Sequence, residues 1–94
     1  MSVDWGRIKE EAAQILSDYI KVDTTNPPGK EMAGARYLQN LLEKDGFPAT
    51  VMESQPERGN LICTMKGKEG LPPLVLLHHM DVVPAEAGKW KHPP

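Results

Sequence analysis

Apolar residues recur at three- and four-residue spacing along the start of the chain: Ile8, Ala12, Ile15, Leu16, Tyr19 and Ile20. Arg7, Lys9, Glu10, Glu11, Gln14 and Asp18 fall between them. One apolar stripe on a polar cylinder is the pattern of an amphipathic helix. Asp4 stands where an N-cap is needed, and the acids Glu10 and Glu11 lie in the N-terminal half, which the helix dipole favours. The pattern predicts a helix over residues 4–21. A second stripe, Ala33, Tyr37, Leu38, Leu41 and Leu42, predicts a helix over residues 30–44. Gly46 is its expected C-terminal cap, and Gly34 weakens it slightly. Between the two stripes lies TTNPPG, residues 24–29. Two prolines and a glycine cannot continue a helix, and the residue before each proline is pushed towards extended geometry, so a rigid loop is expected.

Beyond Gly46 the period changes. Residues 49–53, ATVME, read as a short edge strand, and residues 55–59 have turn chemistry. Residues 60–66 alternate, with Leu61, Cys63 and Met65 on one side and Ile62 and Thr64 on the other. GKEGLPP, residues 67–73, reads as a turn. LVLLHH, residues 74–79, is a near-continuous apolar run, as in a strand buried on both faces at the centre of a sheet. Residues 84–94 show no usable periodicity and are expected to be loop. The order is two helices followed by three strands, which predicts an α/β layered arrangement. Two helices and three strands can only half-cover such a sheet, so more chain is expected around it.

Composition narrows the function classes. A chain of 94 residues, 39% apolar, makes one small domain or part of one. Eleven basic and 13 acidic residues leave a net charge of −2, which argues against a dedicated nucleic-acid binder. No apolar run approaches a membrane span, and the first residues lack a charged-then-apolar leader pattern. The expectation is a cytoplasmic protein with no membrane partner. The lone Cys63 excludes an internal disulfide and reads as a small hydrophobe on its strand.

The candidate chemistry lies in HHMDVVP, residues 78–84. Side chains at i and i+2 on a strand point the same way, so His79 and Asp81 are expected side by side at the end of the apolar run. Ligands of open α/β sheets bind outside the carboxyl ends of strands. There a histidine can bind a metal through one ring nitrogen while a carboxylate takes the other N–H. Spacing alone makes this a weak signal, and on spacing alone a histidine merely hydrogen-bonded at a strand end is the favoured reading. His78 is expected on the opposite side as a packed residue, and His92 is expected to be solvated. Trp90 is expected to anchor its loop.

LVLLHHMDVVPAEAGKWKHPP resembles the first metal-ligand segment of the zinc-dependent family that contains acetylornithine deacetylase, succinyl-diaminopimelate desuccinylase, the aminoacylases and the glutamate carboxypeptidases. That segment has H-x-D at the end of an apolar strand, then V-V-P, then W-x-x-P-P-F. The matching residues are His79, Asp81, Val82, Val83, Pro84, Trp90, Pro93 and Pro94. TTNPPG and RGNLICTMKG (residues 58–67) also fit, in the right order. The resemblance implies that residues 1–94 form the N-terminal part of a three-layer zinc-peptidase catalytic domain, with the three strands in a mixed sheet. It implies that His79 ligates one of two zinc ions, with cobalt or manganese as substitutes, and that Asp81 is an active-site residue orienting the imidazole. It implies hydrolysis of the amide bond of N-acyl amino acids or short peptides, with a glutamate as general base, and leaves open a homodimer of the intact enzyme. The family's other ligands have no counterpart here, so a 94-residue fragment inactive by itself is expected. Two rival readings are a non-catalytic relative serving as a binding or assembly module, and a purely structural hydrogen-bonded His79–Asp81 pair.

Overall fold

The computed structural model describes residues 2–94. Helix α1, Trp5–Ile20, starts where the Asp4 side chain accepts the Arg7 amide at 3.1 Å. Helix α2, Glu31–Lys44, ends at Gly46, whose backbone takes φ 86° and whose amide donates to the Glu43 carbonyl. Both termini match the capping chemistry of the sequence.

Strands β1, Ala49–Gln55, and β2, Arg58–Cys63, form a two-stranded antiparallel sheet. The pairing runs from Ala49 opposite Cys63 to Gln55 opposite Arg58, with Ser54 left over as a bulge. Pro56 and Glu57 make the connection, and Glu57 takes φ 67°. Proline followed by a left-handed residue is the pattern of a type II turn. β2 thus begins at Arg58, two residues before the alternation in the sequence becomes visible. Leu61 and Cys63 are half-buried and Ile62 is exposed, as that alternation requires.

α2 packs on this hairpin. Ala35 and Ala49 are its fully covered apolar side chains. Gly59 permits the approach: a Cβ there would stand 2.7 Å from the Met52 carbonyl oxygen and inside the Met32 sulfur. α1 touches α2 mainly through Tyr37, whose ring stacks on Tyr19 at 5.8 Å and whose hydroxyl donates to the Ile15 carbonyl. Ile8, Leu16 and Ile20 on the α1 stripe stay exposed.

The expected third strand is corrected. Leu74–His79 carries no sheet pairing, and the sheet is antiparallel with two strands rather than mixed with three. A strand exists through ladder bonds to a neighbour, and Leu74–His79 makes none. Leu74, Val75, Leu76 and Leu77 are 78–92% exposed. The radius of gyration, 15.9 Å, exceeds the roughly 12 Å of a compact chain of this length. In the tail, Ala87–Lys89 form one turn of 3₁₀ helix, and Trp90 is exposed rather than anchoring the loop.

Candidate functional site

The TTNPPG loop and the HMDVV segment are tied together backbone to backbone. Val82 donates to the Thr24 carbonyl at 3.2 Å and Asn26 donates to the Val82 carbonyl at 2.8 Å, around a parallel bridge between Thr25 and Val82. The buried Thr24 hydroxyl adds a 2.8 Å bond to the Met80 carbonyl. Gly34 of α2 makes room for this contact, since a Cβ there would lie 3.1 Å from the Thr24 methyl and 3.7 Å from the Met80 sulfur. The glycine that looked like a helix weakness is therefore where α2 receives the loop. Asn26–Pro27 and Pro27–Pro28 are both cis.

His79 and Asp81 come together as their spacing predicts. Nδ1 of His79 lies 2.8 Å from the Asp81 carbonyl oxygen and 3.2 Å from Asp81 Oδ1. Both partners are acceptors, so of the two neutral tautomers the one with the proton on Nδ1 and the lone pair on Nε2 satisfies them. The imidazole is 84% exposed, which leaves Nε2 open to a ligand. The other carboxylate oxygen, Oδ2, accepts from the Asn26 amide at 3.0 Å. That amide bond is the largest influence holding the Asp81 carboxyl below the usual carboxylate range, and His79 adds to it. Sequence reasoning singled out His79 and Asp81 but left Asn26 as part of a rigid loop. Its 55-residue separation from Asp81 gave spacing arguments nothing to work on.

His78 turns the other way and sets its ring edge-on to Tyr19, with the Tyr19 hydroxyl 3.4 Å from Nε2. Partial burial raises the Tyr19 hydroxyl above its ordinary range. An open cavity of about 330 Å³ lies in front of His79, bounded by Glu31, Arg58, Asn60 and Asp81. Arg58 donates through Nη2 and Nε to both oxygens of Glu31, at 2.7 and 3.1 Å. This forked bond lowers the Glu31 carboxyl below its ordinary range and raises the guanidinium. Sequence reasoning treated Arg58 as turn chemistry and assigned Glu31 no role; only the α2–β2 contact pairs them.

A bare Nε2 backed by a carboxylate on Nδ1 is the donor chemistry of a zinc-bound histidine, so His79 fits that group as one ligand. Among the described residues, no group of three or more His, Cys, Asp or Glu side chains is placed to hold a metal ion. No helix among them is long and apolar enough to cross a membrane.

Acetylornithine deacetylase from Vibrio campbellii (strain ATCC BAA-1116) is 32% identical to this chain over 74 residues, covering 76% of the chain and 19% of the relative. The chain thus spans about a fifth of the length of the curated relative it matches. No family model matches the chain, and no solved structure matches it.

Proposed function

We propose that this chain supplies the first metal ligand of a zinc-dependent amidohydrolase. His79 would bind zinc through Nε2, and Asp81 would hold and polarise the imidazole through Nδ1–H. The observation that carries the reading is the approach of two acceptor oxygens of Asp81 to His79 Nδ1, on a largely exposed ring that lines an open cavity. The substrates would be N-acyl amino acids, the class to which the acetylornithine in the relative's name belongs, or short peptides. Bound zinc would lower the pKa of its water and polarise the scissile carbonyl. A catalytic zinc takes three protein ligands, so the activity belongs to a longer chain that adds further donors to His79. The 94 residues would be the N-terminal part of its catalytic domain, inactive alone.

The test is zinc titration of the full encoded protein against a competing chelator, wild type beside His79→Ala, followed by hydrolysis of an N-acetyl amino acid. The expected result is loss of at least about tenfold in zinc affinity with the fold retained. Unchanged zinc uptake with a lowered melting temperature would overturn the reading in favour of a structural His79–Asp81 pair.

One observation favours a second reading, a non-catalytic assembly module: the exposed, unpaired apolar run Leu74–Leu77. Metal-independent self-association abolished by Leu76→Lys, with no zinc uptake, would support it.

A further inference from the structure

Asp81 has two carboxylate oxygens with separate duties. Oδ1 faces the imidazole Nδ1, while Oδ2 is occupied by the Asn26 amide. A carboxylate on a side chain with two free torsions swings unless something fixes its second oxygen. Asn26 is itself fixed without use of its own side chain: its backbone N–H donates to the Val82 carbonyl, one residue past Asp81, while the Thr24 carbonyl accepts from Val82 and the Thr24 hydroxyl donates to the Met80 carbonyl. The amide side chain therefore reaches Asp81 from a support that does not depend on that side chain.

We infer that Asn26 is a positioning residue, whose side-chain amide aims the Asp81 carboxylate at His79 and so readies His79 Nε2 as a metal ligand. The inference rests on the zinc reading for its consequence and on the Asn26–Asp81–His79 geometry for its substance. Asn26→Leu deletes the donor at similar size and keeps every backbone bond of the loop.

The experiment is a double-mutant cycle in the full encoded protein, pairing Asn26→Leu with Asp81→Ala. Two quantities are read: zinc affinity, and the NMR shift of the His79 Nδ1 proton in metal-free protein at about pH 8.5, above the ordinary imidazole range. Asn26→Leu is expected to cost about tenfold in zinc affinity, as loss of a ligand's supporting hydrogen bond commonly does. It is also expected to move the Nδ1 proton upfield as its charged acceptor withdraws. Both effects are expected to vanish in the Asp81→Ala background. An unchanged Nδ1 proton, or an equal zinc loss with and without Asp81, would overturn the inference. If the proton moves but His79→Ala binds zinc like wild type, the positioning role stands and the zinc reading falls. Should Asn26→Leu fail to fold, Asn26→Ala carries the same cycle.

Discussion

β1 and Leu74–His79 are both short segments whose sequences read as strands, yet they fare differently. β1 finds β2 directly after it, through a two-residue connection that costs little chain entropy, and α2 packs on the pair. Leu74–His79 is the more apolar of the two and stays unpaired, with its leucines exposed. What separates them is the availability of a neighbour at short range, rather than local strand preference. A hairpin carries its own partner, whereas a strand buried on both faces depends on elements brought from elsewhere. The same segment nevertheless ends in an ordered corner. From Met80 onwards the chain is gripped by Thr24 and Asn26, so His79 sits where a free run passes into a clamped one.

The comparison breaks most sharply at Gly59. Gly59→Ala drives a methyl into the Met52 carbonyl and the Met32 side chain, and is expected to destabilise the hairpin–α2 unit by about 1–3 kcal/mol. Denaturant unfolding measures this, and an unchanged midpoint would show that α2 does not rest on β2. A smaller effect is expected from pH at the α2–β2 ion pair. The Glu31 carboxyl is lowered by Arg58, so its stabilisation is present above the carboxyl's unfolded value of about 4.3 and is lost as pH falls through its lower folded value. Glu31→Gln should therefore flatten the acid limb of the melting temperature below about pH 4.3, and lower it at pH 7. A wild-type acid limb in Glu31→Gln would assign that limb elsewhere. The smallest effect on stability is expected at Leu76. Leu76→Lys should change unfolding free energy by no more than about 0.5 kcal/mol, because nothing covers the side chain, while reducing aggregation. Amide exchange sharpens the contrast further: Leu61 and Val51 should be protected, and Val75 and Leu77 should exchange freely.

Much of the local structure was legible in the chain. Apolar periodicity located α1 and α2 to within a residue or two, and Asp4 and Gly46 marked ends that local hydrogen bonds make. The pairing of His79 with Asp81 was legible too, because an i,i+2 relation is local geometry. Leu74–His79 was misread because an apolar run records what a segment could bury, and burial needs a second surface. Asn26 and Gly34 were undervalued for a related reason. A proline-rich loop and a helix glycine have local explanations that suffice, until a partner 55 residues away supplies another.

By itself, then, the sequence determined the helices, their caps, the strand–turn–strand pattern after Gly46 and the His79–Asp81 couple, all products of interactions spanning a few residues. Tertiary structure alone decided which extended segments pair, that Glu31 meets Arg58, and that Asn26 reaches Asp81. Those contacts join residues far apart in the chain, and their formation depends on the summed packing that closes the loops between them.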